Sequence, residues 1–101
     1  MSREEAIRAL RAHERELRAA GVIGASLFGS TARGESAPGD VDIAVRLSKD
    51  FSRGGFDYFG RLEDLEQRLS SLLGCKVDVV EEPVRKERFQ QEIDRDRALA
   101  F

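Results

Sequence analysis

Apolar residues recur three or four apart at Phe56, Phe59, Leu62, Leu65, Leu69, Leu72 and Leu73, while Glu63, Asp64, Glu66, Gln67 and Arg68 fill the other side. That spacing lays one apolar stripe along a helix. Gly74 follows where a C-terminal cap belongs. A second helical pattern opens the chain, with Ile7, Leu10, Leu17 and Ala20 behind a capping box of Ser2 and Glu5 and ahead of a stop at Gly21, and predicts a helix over Glu4 to Ala20. His13, on or beside its apolar face, reads as a packing or surface residue. Three stretches carry a strand pattern instead. Val22 to Phe28 is short, apolar and bounded by Gly21 and Gly29; Val41, Ile43 and Val45 alternate with Asp40, Asp42 and Ala44; and Lys76-Val77-Asp78-Val79-Val80 follows Gly74. Val84, Phe89 and Ile93, after Pro83, predict a last helix ending near Asp94 or Arg95.

The connections complete the outline. Gly29-Ser30-Thr31-Ala32-Arg33-Gly34 has room for a turn and one helical turn, and Pro38-Gly39 forces a loop. Ser48 to Gly55 is polar and ends in two glycines, which predicts a mobile surface connection. Ala98, Leu99 and Phe101 form a small apolar tail expected to pack on the domain. A short link between the first two strands makes them antiparallel, and the helix between the second and third allows a parallel crossover. The expected fold is therefore α/β (α+β), a small mixed three-stranded sheet flanked by helices.

With 101 residues the chain is expected to form one domain, 1–101, with no room for a second substrate-recognition domain. Its formal net charge is -2, and acidic and basic residues are interspersed, so no basic stripe for nucleic acid stands out and direct nucleic-acid binding is not expected. A single cysteine, Cys75, permits no internal disulfide and fits a reducing cytoplasm; beside an apolar run it reads as a core side chain. No signal peptide and no membrane-spanning run appear, so a soluble protein is expected.

Candidate chemistry concentrates between Val22 and Val45. On a strand, Asp40 and Asp42 face the same way, and neighbouring carboxylates raise each other's pKa and resist joint ionisation. A divalent cation removes that conflict. Mg²⁺ is held by one or two carboxylates together with substrate phosphate oxygens, and a glycine turn entering a short helix offers N–H groups to phosphate. Singly, Asp40 reads as a turn residue, Asp42 as an edge-strand charge and Asp78 as an exposed strand position. Together, with Gly29-Ser30 at that distance, they read as a metal and nucleotide site.

The run Gly29-Ser30-Thr31-Ala32-Arg33-Gly34-Glu35, then Asp40-Val41-Asp42, then Asp78 resembles the signature of the minimal nucleotidyltransferases, the smallest members of the DNA polymerase beta-like nucleotidyltransferase superfamily. The resemblance covers nearly the whole chain. It implies that Gly29 and Ser30 bind the triphosphate of ATP, that Asp40, Asp42 and Asp78 are catalytic and hold two Mg²⁺ ions, and that Asp78 also activates the attacking hydroxyl. Arg33 matches an arginine usual in this turn and is assigned a phosphate-side or partner-facing role, whereas Glu35 reads as solvated. Two departures from the pattern, a connection from Ser30 to Asp40 one residue shorter than in many antitoxin-type members and Gly39 in place of the usual serine, imply a reshaped loop on the phosphate side.

Stand-alone members of this family typically partner a HEPN-domain toxin, a helical ribonuclease, and the resemblance implies AMP transfer from ATP to a tyrosine of that toxin. The chain would then act as a protein adenylyltransferase and antitoxin. Two alternatives stand beside it: an antitoxin that masks its partner with weak or no catalysis, and the catalytic subunit of a small-molecule, antibiotic-type adenylyltransferase whose acceptor pocket comes from another subunit.

Overall fold

A computed structural model describes residues 1–35, 40–53 and 56–101, except for the side chain of Phe56. The expectations for Pro38-Gly39, for Gly54-Gly55 and for the Phe56 side chain lie outside the described residues. The elements are α1 (Arg3–Ala12), α2 (Glu14–Ala19), β1 (Val22–Phe28), α3 (Gly29–Ala32), β2 (Val41–Leu47), α4 (Lys49–Ser52), α5 (Phe56–Leu73), β3 (Val77–Glu81), α6 (Glu87–Asp96) and β4 (Ala98–Leu99).

The sheet has four strands in the order β3-β2-β1-β4. β1 and β2 are antiparallel and β2 and β3 parallel, as the connections predict. The expectation of three strands is corrected by the apolar tail, which packs as a strand rather than as loose side chains. Ser26 faces Leu99 and Leu27 faces Ala98 in antiparallel register, and the Ala25 N–H donates to the Phe101 carbonyl at 3.0 Å. Two residues are too short a run for alternation to be read in sequence.

Strand alternation sorts side chains onto two unequal faces. On one, Ala25, Leu27, Val41, Ile43, Val45, Val77 and Val79 meet Ala6, Leu10 and Leu17 of the first two helices and Leu65, Leu69 and Leu73 of α5. This is the main core. On the other, Phe28, Ala44 and Val80 pack against Phe89 and Ile93 of α6 and against Val84. Because α6 covers the middle of that face, the residues at its two ends are left to find other partners.

Several boundaries differ from expectation. The helix predicted over Glu4 to Ala20 is two helices: the His13 N–H turns back to the Leu10 carbonyl at 3.2 Å, ending α1, and α2 restarts at Glu14. Leu10 and Leu17 stay buried on both sides of the break, so the apolar period does not register it. The capping box at Ser2 and Glu5 forms as predicted. Phe59, placed on the apolar stripe by spacing, is 74% exposed, and stacks edge-on against Tyr58.

Ser48 to Ser52 is no mobile connection. The Ser48 side chain accepts the Phe51 N–H at 3.2 Å to cap α4, Phe51 is buried, and Arg61 donates through Nε to the Phe51 carbonyl at 2.9 Å. One aromatic anchor and one arginine order a segment that is otherwise polar. The third strand runs one residue later than predicted, Cys75 is only partly buried against the core, and the last helix extends to Asp96.

Candidate active site

The carboxylates gather at one end of the α6-side face. Asp42 of β2 and Asp78 of β3 are register partners in the parallel pair, and Phe28 of β1 faces Asp42 from the other side. Asp40 stands just before β2. The parallel crossover through α5 is what carries Asp78 next to Asp42, so the long helix and Gly74, which ends it at φ +71°, set the site's third member.

Like charges held this closely perturb one another. Burial pushes the Asp42 carboxyl above its usual 3.8, with the charges of Asp78 and Asp40 adding to the effect and Arg33 opposing it. Asp78 is also raised, first by burial and then by contact with the Asp40 carboxyl, and Lys76 partly offsets this. Lys76 Nζ lies 3.5 Å from Asp40 Oδ2. Among the described residues no three carboxylate, histidine or cysteine side chains already converge as ligands around one point.

The turn before β2 is built against the same carboxylate. Gly29 begins α3 at φ +74°, a conformation L side chains rarely adopt, and a Cβ there would lie 2.4 Å from Asp42 Oδ2. Only glycine leaves room for the carboxylate. Ser30 is half-buried beside it, and α3 supplies one helical turn ending at Arg33. Arg33 itself is engaged, through Nε with Glu35 Oε1 at 3.0 Å and through Nη1 with Asp96 Oδ2 at 2.7 Å. Glu35, read as solvated, is thus a partner of Arg33.

Hard oxygen donors, carboxyls raised by burial and by each other, and a glycine turn that opens a helical turn with no side-chain cap fit Mg²⁺ and a phosphate chain. Asp40, Asp42 and Asp78 are the residues that would hold the metal. One member of this environment reads in the sequence only as a charge on the polar side of its helix. Glu66 on α5 accepts the Val79 N–H at 3.1 Å, bonding the outer edge of β3 next to Asp78, and its charge adds to the upward push on Asp78. Its place among the polar positions of α5 made it look like solvent-facing charge; a glutamate one helical turn before Ser70, which caps the Val77 N–H at 3.0 Å, is the signal that both residues face the strand.

A family model described as "Nucleotidyltransferase domain" matches residues 9–99. The chain belongs to this family. A solved structure provisionally classed as a minimal nucleotidyltransferase is 30% identical, with a TM-score of 0.72, over 97% of this chain and 95% of that one. A toxin–antitoxin structure with AMP-PNP is 24% identical, with a TM-score of 0.63, over 100% of this chain and 73% of that one. An MNT antitoxin in complex with a tri-AMPylated HEPN toxin of Shewanella oneidensis is 23% identical, with a TM-score of 0.62, over 94% and 71%. The last two share the fold with this nucleotidyltransferase domain. No curated protein sequence matches it. Among the described residues no helix is long and apolar enough to cross a membrane.

Proposed function

We propose that the chain is a metal-dependent adenylyltransferase that moves AMP from ATP to a tyrosine of a HEPN-domain toxin and so acts as its antitoxin. The observation that carries this reading is the register pairing of Asp42 with Asp78, with Gly29 closed against the Asp42 carboxylate. Family membership supports nucleotidyl transfer, and the solved complexes of similar fold support the acceptor.

In this reading Asp40, Asp42 and Asp78 are the residues that would hold two Mg²⁺ ions, which would supply positive charge against the phosphates and the developing oxyanions. Backbone N–H groups of the Gly29-Ser30 turn orient the triphosphate. The tyrosine oxygen forms a bond to the α-phosphorus as the bond to pyrophosphate breaks. Asp78, half-buried in the edge strand β3, takes the phenolic proton. Arg33 leans on Glu35 and Asp96 and lends positive charge to the phosphate side.

Incubation with a HEPN-domain protein encoded beside the chain, ATP and Mg²⁺, followed by intact-mass spectrometry, tests the proposal. Mass added in steps of one AMP, mapped to tyrosine, is the expected result. A tight complex with an unmodified partner would establish masking instead, and AMP appearing on a small molecule would establish the antibiotic-type enzyme.

A further inference from the structure

Interspersed in sequence, the basic residues of α1 and α2 are sorted by the helices. Arg8, Arg11, Arg15 and Arg18 recur three or four apart. Arg11 and Arg18 both reach toward the end of the chain: Arg11 Nε donates to the Ala100 carbonyl at 2.7 Å, and the Arg18 guanidinium lies 5.1 Å over the Phe101 ring. The row therefore borders the β4 edge of the sheet. Arg18 is matched by Glu14 at 2.7 Å, and Arg3 by Glu4 at 3.2 Å. Among the described residues, Arg8, Arg11 and Arg15 form no ion pair with a carboxylate, and all three are exposed.

Between α1 and β4 runs an open groove of about 600 Å³, walled by Arg3, Arg8, Arg11 and Arg97 and floored by Ile7 and Leu99. Glu4 also lines it and is paired with Arg3, and Arg97 is paired with Glu82 and Asp94, so the positive charge left over in the groove is that of Arg8 and Arg11. Leu99 is 59% exposed although it sits in a strand. One end of the groove is tied to the candidate active site. Arg3 Nη1 donates to the Ala32 carbonyl at 3.3 Å, at the far end of the single helical turn that begins with Gly29 and Ser30. The Arg3 end of the groove therefore lies about one helical turn from the Gly29-Ser30 turn.

We propose that this groove is a docking site for a protein partner that presents an acidic segment carrying apolar side chains. Charge complementarity selects the partner's sign: Arg8 and Arg11, neither paired with a carboxylate among the described residues, line the groove of a chain whose net charge is -2. Their planar forks suit carboxylates two-on-two, and the Ile7–Leu99 floor asks for apolar groups between those carboxylates. No aromatic ring lines the groove to stack bases, which sets the acidic segment ahead of single-stranded nucleic acid. The inference goes beyond the transfer reaction, since docking needs no metal and no ATP.

Fluorescence anisotropy with a labelled peptide alternating glutamate and leucine, and with single-stranded RNA of equal charge, tests it on the full chain. The peptide is expected to bind saturably and more tightly than the RNA, and Arg8→Glu with Arg11→Glu to weaken it by roughly tenfold or more. Leu99→Asp should weaken it too. Stabilisation by ATP with Mg²⁺ should be unchanged in these variants, so a failure of docking is separable from a failure of the nucleotide site. Arg11 also holds the Ala100 carbonyl, so Arg8→Glu alone, at a side chain with no hydrogen bond among the described residues, serves if the double variant unfolds. Absence of saturable peptide binding, RNA binding tighter than peptide, or full peptide affinity in folded Arg8→Glu would each overturn the proposal.

Discussion

At one end of the α6-side face, Asp42 and Asp78 stand side by side, half-buried and, among the described residues, without an ion-pair partner; at the other, Glu82 is more deeply buried and fully answered. Arg97 meets Glu82 with Nη1 2.8 Å from Oε1, bonds the buried Ser26 hydroxyl at 3.0 Å, and reaches Asp94 at 2.7 Å, while Gln90 donates to Glu82 at 2.7 Å. Val80 and Ala44, packed with Ile93, lie between the two ends. Glu82 is held below the usual glutamate range by Arg97, despite burial, whereas Asp42 and Asp78 are pushed above theirs. The answered end fastens α6 and β4 to the sheet. The unanswered end stores a demand for positive charge, which is what a metal-dependent site requires.

The largest effect should come from breaking the answered end. Arg97→Ala leaves Glu82 buried and unpaired, a change that costs about 3–5 kcal/mol, and denaturant unfolding should show it. Arg97→Met with Glu82→Leu should regain most of that loss, since removing both charges removes the desolvation cost as well. If the single variant proves neutral, the network is decoration.

At the other end the order reverses. Asp42→Asn should lower AMP transfer by about 10²–10³-fold, the scale of losing one group that stabilises transition-state charge, while holding or raising the melting temperature without metal. Next in size, ATP with Mg²⁺ at about 100 times its dissociation constant should add roughly 2.7 kcal/mol. For a domain of this size that is on the order of 10 °C. A thermal shift of the same size in Asp42→Asn would remove that residue from the metal site.

Glu66 offers a finer cut. Glu66→Ala should cost about 1 kcal/mol through the lost bond from the Val79 N–H; Glu66→Gln keeps that acceptor and removes only charge. In Glu66→Gln the Asp78 titration, followed by NMR, should move down toward the ordinary aspartate range.

Smallest is the response to acid, where the two ends differ in sign. Glu82 has a folded-state pKa below its usual 4.5, so its contribution is present above that value and lost as pH falls through the lower one. Asp42 has a raised pKa, so the protonated form favours the fold below 3.8, and that benefit is lost as pH rises through the raised value. Melting curves of the metal-free protein against pH, compared between Asp42→Asn and the Arg97→Met/Glu82→Leu pair, should separate the two slopes.

Much of the carboxylate end was legible in sequence because alternation and a glycine turn are local signals. Asp40 and Asp42 differ by one pleat, and a leucine-rich helix with a glycine stop implies the parallel return that brings Asp78 alongside. The answered end was not legible. Glu82, Gln90 and Arg97 carry no common period and Ser26 lies far from them in sequence, so each looks like an ordinary polar residue until β4 and α6 close over β1. The same holds for α4, where a single Phe51 gives no period, and for the arginines of α1 and α2, which are mixed with glutamates along the sequence. Glu66 differs again: it was seen, but as solvent-facing charge.

The contact between Gly29 and Asp42 gives the site an unusual kind of off-switch. Gly29→Ala would place a methyl group where Asp42 Oδ2 now lies and would strain the turn, yet every carboxylate and every unit of charge would remain. The chain would be silenced by shape alone, with its electrostatic appearance to any partner intact. Transfer lost in that variant while the partner is still held and still neutralised would mean that occupancy, rather than chemistry, is what protects the cell.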